Sequence, residues 1–364
     1  MASRGKVLDV ALAVLVGGAA VLAAAGPAGA DGSGDLAFRA TAEAAAVRMT
    51  MTVANGPGTN DPIDVPGPIS HAAVNSLGSS SAFASFPYPG DAGVTVPGLI
   101  PAVVPGAPSL PPYPFYAKSE HPIVPKAQQA AGAVNLSAES TQTASKAAGS
   151  AGPQGDGPGS MSSEASVTEM NDTRQLYLAP GTAAVVATSK AVVAAFAAGP
   201  LTLGRVVSTA SVTLLADGTL QRKSGLELSG IRIGDQTVGL SSSGFVAPGS
   251  GLPFPAGAQD QLSTALAGGG MTVEFLPERQ TDDGIVSAGL RIRQERDMPN
   301  GRDALTWVIG QAAASAVGGA RSDGVSQDSS SSPSEGAVGA SPASSGAGRD
   351  IATDRKEAWR TWAS

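Results

Sequence analysis

Alternation of apolar and polar residues is longest and clearest between Leu201 and Val246. From Val206 to Leu214 the even positions Val206, Ala210, Val212 and Leu214 are mostly apolar, while Thr209, Ser211 and Thr213 between them are polar. Successive side chains of a strand point to opposite faces, so this is the pattern of a sheet with one buried side. Asp217-Gly218 predicts a tight hairpin turn. On the return strand Leu220, Leu226 and Leu228 share one parity and Ile231 and Ile233 the other, which predicts a bulge at Ser229-Gly230 that restores the inward face. Gly234-Asp235 turns the chain again, and Val238 and Leu240 mark a third strand.

The same period extends through most of the chain. Phe38, Ala40, Ala42 and Ala44 share one parity and Val47, Met49, Met51 and Val53 the other, which predicts a long strand over Phe38–Val53 with a bulge near Ala45. Val134–Ala147, Met161–Met170 and Thr182–Phe196 read as further strands. The last is rich in alanine, which suits a helix, but Val185, Val186, Thr188, Val192 and Val193 are β-branched and favour a strand. One helix is predicted over Ala258–Leu266, where Leu262 and Leu266 lie at i,i+4 and Gly268–Gly270 ends the run. Met271, Val273 and Phe275 begin a final meander, which turns at Asp283-Gly284, continues through Leu290 and Ile292, and closes with Leu305, Trp307 and Ile309.

One region breaks the pattern. Residues 57–125 hold 15 of the 27 prolines. Proline cannot donate to a sheet ladder, so the expectation is an extended, loop-rich segment without continuous central strands. Within it a short helix is predicted over Ser70–Leu77, capped by Ser70. The segment also carries Phe83, Phe86, Tyr88, Tyr113, Phe115 and Tyr116, in a chain with only 4% aromatic residues. These rings are the candidate ligand-binding residues: on proline-stiffened loops they line an apolar cleft, or they pack the loop onto an alanine-rich sheet.

The ends differ from the body. Arg4 and Lys6, the apolar run Val10–Ala25 and Ala28-Gly29-Ala30 form a secretory signal pattern over residues 1–30, with an uncleaved anchor as the alternative and Gly26-Pro27 favouring cleavage. The body, residues 31–318, is read as a single β-rich domain lying outside the cytoplasm. Residues 319–364 are a Ser/Gly/Ala-rich tail, predicted to be flexible, with Trp359 and Trp362 near its end. The chain has no cysteine, so neither disulfides nor a lipid-modified cysteine contribute. Its net charge of −7 argues against nucleic acid as a partner.

Chemistry has few candidates. His71 and His121 are the two histidines. The zinc, nucleotide and serine-nucleophile motifs H-E-x-x-H, G-x-x-x-x-G-K-[ST] and G-x-S-x-G are missing, so no cofactor or metal site is expected and the chain is read as a non-enzyme. Asp282-Asp283 reads as a turn beside a solvated carboxylate instead of a calcium loop, which needs alternating oxygen ligands. Gly155, Gly157 and Gly159 read as a linker.

Four segments, Ser80–Asp91 (SSAFASFPYPGD), Tyr113–Pro122 (YPFYAKSEHP), Leu201–Val246 and Thr281–Leu290 (TDDGIVSAGL), carry a resemblance. Over about Phe38–Ala316 the chain resembles a group of secreted β-rich proteins of high-GC actinobacteria with no assigned activity. The resemblance implies an envelope setting and supplies no functional residues. Some members of that group carry a C-terminal membrane segment, and none is expected from the C-terminal residues of this sequence. The expectation is a mainly β protein, a large antiparallel open sheet or partial barrel with long proline-rich loops and one or two short helices. Its expected role is a non-enzymatic binding or structural protein of the cell envelope, whose sharpest version holds an apolar small molecule or lipid in the curled sheet. Another envelope component is the other partner considered, and membrane contact is expected only through an uncleaved signal segment. The alternative role is a secreted hydrolase acting on an envelope polymer or ester through His71 or His121.

Overall fold

The computed structural model of the chain describes residues 36–52, 63–90, 94, 113–153, 157–170, 181–249, 252–299 and 301–320. These build two antiparallel sheets packed face to face, neither of them closed into a barrel. The first sheet begins with β1 (Leu36–Thr52), β2 (Ile63–Asn75), β3 (Ser80–Ser85) and β4 (Tyr116–His121). The chain then crosses to the second sheet through β5 (Lys126–Ala131), β6 (Val134–Ser140), β7 (Ala144–Ala151), β8 (Ser160–Glu169), β9 (Ala183–Ala198) and β10 (Leu201–Leu215). That sheet ends with β11 (Leu220–Ser229), β12 (Ile231–Ile233), β13 (Gln236–Ser241) and β14 (Gly244–Val246). Helix α1 (Ala256–Gly268) leads back to the first sheet. There β15 (Met271–Leu276), β16 (Arg279–Gln280), β17 (Gly284–Val286), β18 (Gly289–Met298) and β19 (Gly301–Ala320) follow, and β19 pairs with β1.

Short turns place consecutive strands side by side, so both sheets are meanders. The first has the order β15-β18-β19-β1-β2-β3-β4, and the second β14-β13-β12-β10-β9-β8-β7-β6-β5, with β11 also along β10. Across the interface β2 lies over β7 and β8, β1 over β8 and β9, and β19 over β9 and β10.

Small side chains fill the space between the sheets. Ala40, Ala42, Ala72, Ala165, Ala187, Ala210, Ala312 and Ala314 share one buried cluster with Val167, Val185, Val212 and Leu214. Serines complete the layer. The hydroxyls of Ser70 and Ser163 are hydrogen-bonded at 2.8 Å, those of Ser119 and Ser140 at 2.7 Å, and those of Ser208 and Ser287 at 2.5 Å. Ser145 donates to the Ala73 carbonyl oxygen at 3.0 Å and Ser189 to that of Ala313 at 2.9 Å. A serine oxygen on one sheet thus reaches the main chain of the other, so the sheets approach more closely here than the usual spacing of about 10 Å.

A transverse crease runs across each sheet, and it explains the changes of parity in the sequence. In the first sheet the β1–β2 and β1–β19 ladders are interrupted at Ala46, opposite Pro68 and Gly310, and resume with unchanged register. Inward residues on β19 shift there from Ile309 to Ala312, and Gly310 takes φ +72°. The expected irregularity near Ala45 is therefore present, but it is shared by neighbouring strands, so no strand gains a residue on its partner. In the second sheet the β9–β10 ladder skips Ala195 and Gly204, and Gly230 separates β11 from β12 with φ +65° and its Cα 3.1 Å from where a Gly204 side chain would begin. Leu228 and Ile231 predicted a bulge here; the change of face is present, but β11 and β12 keep one register on β10, with Gly230 opposite Gly204, so no residue is inserted.

Three expectations are corrected. Ser70–Leu77 is not a helix: Ser70–Asn75 completes β2, where Ala72 and Val74 face the core and Ala73 does not. Strand partners on both sides override the local helical spacing. Residues 57–125 also contribute β2 and β3 to the interior of a sheet. Pro66 and Pro68 fall where β2 is paired to β1 alone, since the β2–β3 ladder covers only Ile69–Val74, so the prolines still occupy an edge. Val134–Ala147 is two strands, β6 and β7, because Thr141–Thr143 forms a turn in which the Thr141 hydroxyl oxygen accepts from the Ala144 N–H at 3.0 Å. Helix α1 forms where Leu262 and Leu266 placed it, with both leucines buried. The signal pattern, most of the low-complexity tail and its tryptophans, and Gly155 lie outside the described residues.

Candidate functional site

The six candidate aromatic residues do not line one cleft; strand alternation divides them. Phe83 and Tyr116 face away from the second sheet, whereas their neighbours Ala82, Ala84, Phe115 and Ala117 face it. On the outer face of the first sheet Phe83 stacks on Tyr88 with ring centroids 5.3 Å apart and lies 5.7 Å from Tyr116. Phe86 and Phe115 pack instead against Ala82, Ala84, Leu136 and Ala138 between the sheets. Tyr113 meets the Phe115 ring edge-on and donates its hydroxyl to the Pro87 carbonyl oxygen at 2.8 Å. Burial pushes the Tyr113 phenol above its ordinary range.

The outer-face stack contains two polar residues that the sequence reading did not pair. The β1–β2–β3 register aligns Glu43, His71 and Phe83 in one row. Glu43 and His71 are each 8% exposed, His71 Nδ1 lies 3.3 Å from Glu43 Oε2, and the imidazole stacks on Phe83 at 5.3 Å. A carboxylate on Nδ1 fixes the imidazole tautomer and orientation, as it does in hydrolytic triads. The nearby serines are committed elsewhere: Ser70 turns inward to Ser163, and Ser85 donates to the carbonyl oxygens of Pro87 and Phe115. No sequence motif links Glu43 to His71, because only the antiparallel register brings residues 28 apart into one row.

A second site lies on the opposite side of the molecule. A trough of about 590 Å³ crosses the second sheet over β5–β8 and is lined by Gln128, Asn135, Ser137, Ala148, Ser150 and Glu164, among others. The register aligns Gln128, Ser137, Ala148 and Glu164 in one row on the outer face, and Lys190 continues it. Amides, hydroxyls and a carboxylate around a small alanine floor can exchange hydrogen bonds with a hydroxyl- or amide-rich ligand. The polar alternation of Asn135, Ser137 and Glu139 signalled this face in the sequence; the trough itself needs four strands in register.

Among the described residues no group of three or more His, Asp or Glu side chains is placed to hold a metal ion. At the Asp282-Asp283 turn, Asp283 Oδ1 accepts from the Thr281 hydroxyl at 2.7 Å, and the Asp282 carbonyl oxygen accepts from Arg222 at 2.5 Å. No helix is long and apolar enough to cross a membrane among the described residues. Comparison with protein-family models, curated proteins and solved structures finds no match.

Proposed function

We propose that the chain is an extracytoplasmic envelope protein of structural or binding type, in which a rigid sandwich presents the polar outer face of its second sheet to an envelope component. The observation that carries this reading is how the interior is filled. Alanines and hydrogen-bonded serines occupy the space between the sheets, and the scarce aromatic rings are used in packing on two different faces. That filling favours recognition on the outside, at the trough over β5–β8, and weighs against a lipid carried within.

The test is cosedimentation of the purified chain with isolated, insoluble cell-wall polymer. Ala148→Trp, on the half-buried floor of the trough, fills it with a large ring. Retention of the parent and loss of the variant is the expected result; equal retention of both refutes the trough. Native mass spectrometry with organic extraction tests the competing version, and a stoichiometric apolar molecule recovered from the protein overturns the structural reading.

One observation favours a second reading, hydrolysis of an envelope ester or polymer: the carboxylate of Glu43 against His71 Nδ1. If hydrolysis of envelope esters by the purified chain is detected and survives His71→Ala unchanged, that reading fails.

A further inference from the structure

Among the described strands β5 is an edge left open. It pairs with β6 alone among the described strands. The Ser140 N–H donates to the Pro125 carbonyl oxygen at 2.8 Å. Hydrogen-bonded pairs alternate along an antiparallel ladder, so Ala127, Gln129 and Ala131 turn their main-chain groups toward β6. Lys126, Gln128 and Ala130 therefore direct their N–H and C=O groups away from the sheet. All three residues are exposed, and these groups have no partner among the described residues.

Natural edges are usually blunted by proline, inward charge, a bulge or a covering segment. Inside β5 the one charge is Lys126 at its first position, and there is no proline. The other described edges are less available. β14 is three residues long and bridged from Val246 to Pro253, the Glu120 main chain of β4 exchanges hydrogen bonds with Val124, and α1 packs beside β15. β11, paired with β10 alone, carries the charges of Arg222, Lys223 and Glu227 along its length and packs beside β17.

We propose that β5 pairs with β5 of a second copy of this chain, antiparallel, about a twofold axis through Gln128. The register follows from the hydrogen-bonding phase. Only an arrangement that sets outward residues opposite outward residues satisfies the free groups, and centring it on Gln128 uses all three. Gln128 then faces the partner's Gln128, Lys126 faces the partner's Ala130, and the two lysines are not opposed. A strand that matches itself about a twofold is the self-complementary contact that closed dimers need. The pairing joins the two second sheets edge to edge, and it brings together the two troughs, whose linings include Gln128 and Ala130. The contact is small, so the dimer is weak and concentration-dependent.

Sedimentation velocity on the purified chain over a wide concentration range tests this directly. Gln128→Pro removes an N–H that points away from β6, so the monomer keeps its fold, checked by circular dichroism, while dimerisation weakens by about tenfold or more. The lack of cysteine permits a register-specific second test. Under mild oxidation Gln128→Cys yields a covalent dimer, because a hydrogen-bonded antiparallel pair holds Cα atoms about 5.5 Å apart, within disulfide reach. Lys126→Cys does not, because its twofold mate lies roughly 14 Å away along the strands. A chain that stays monomeric at every concentration, or two cysteine variants that cross-link equally, overturns the proposal.

Discussion

Replacing Gly310 by alanine tests how closely the two sheets are packed at the crease. Gly310 has φ +72°, and a β-carbon built there lies 2.8 Å from Val206 Cγ1, 3.4 Å from Ser208 Cβ and 3.8 Å from Leu226 Cδ1, all on the facing sheet. Two costs follow. Holding an L-residue with a side chain in the left-handed region costs about 1–2 kcal/mol. Forcing a methyl group into a filled interface costs about 1–3 kcal/mol more, since β-branched Val206 has little rotamer freedom with which to move aside. Gly310→Ala should therefore destabilise by about 2–5 kcal/mol. Gly218→Ala is the control: Gly218 has φ +83° in the β10–β11 turn, and a β-carbon there meets nothing within 4 Å. It should show only the conformational cost, about 1–2 kcal/mol. Urea unfolding of the parent and both variants, followed by circular dichroism, measures the difference between them. If Gly310→Ala costs no more than Gly218→Ala, the sheets are not packed closely at this point and the crease is only a backbone feature.

Ser70→Ala should cost about 1–3 kcal/mol, because it leaves the fully buried Ser163 hydroxyl short of its partner across the sheets, and Ser163→Ala should cost less, because the Ser70 hydroxyl still donates to the Ser163 carbonyl oxygen at 3.0 Å. The double variant should cost clearly less than the sum; additive costs in the same urea assay would mean that the pair does not act as a unit. Phe83→Ala removes the ring on which His71, Tyr88 and Tyr116 all rest, and should destabilise by about 3–5 kcal/mol. A loss below 1 kcal/mol would show that the outer-face stack contributes little. Burial raises the Tyr113 phenol in the folded state, so its contribution is fully present below the unfolded value of about 10 and is lost as pH rises through the folded value. Tyr113→Phe should flatten the fall of melting temperature between pH 9 and 11 relative to the parent, and parallel curves would refute that assignment.

Period-two alternation revealed most of the strands, because one buried face on each strand writes itself directly into residue order. Val206–Leu214 and its return through Leu228 and Ile231 were legible down to the change of face at Gly230, although that change is a crease shared with Gly204 and not the inserted residue of a bulge. So was α1, where two leucines at helical spacing meet a glycine stop. The proline-rich region was misread for a physical reason. Proline excludes a ladder bond only on the side where its missing N–H would point, and sequence does not say that the Pro66–Pro68 side of β2 is unpaired. The helical spacing of Ala73, Val74 and Leu77 was likewise a local signal, overridden once β1 and β3 offered β2 a ladder on each side.

Sequence by itself determined that this is a cysteine-free, alanine- and serine-rich antiparallel β protein whose turns fall at Asp217-Gly218, Gly234-Asp235 and Asp283-Gly284. Those properties reside in single residues and their immediate neighbours. Only the tertiary structure decided that there are two sheets, that Phe115 and Tyr116 part to opposite faces, that Glu43 meets His71, and that β5 pairs with β6 alone among the described strands. Each of these depends on which strand lies beside or across from which. Register and sheet order are properties of pairs of distant segments, and residue order alone does not contain them.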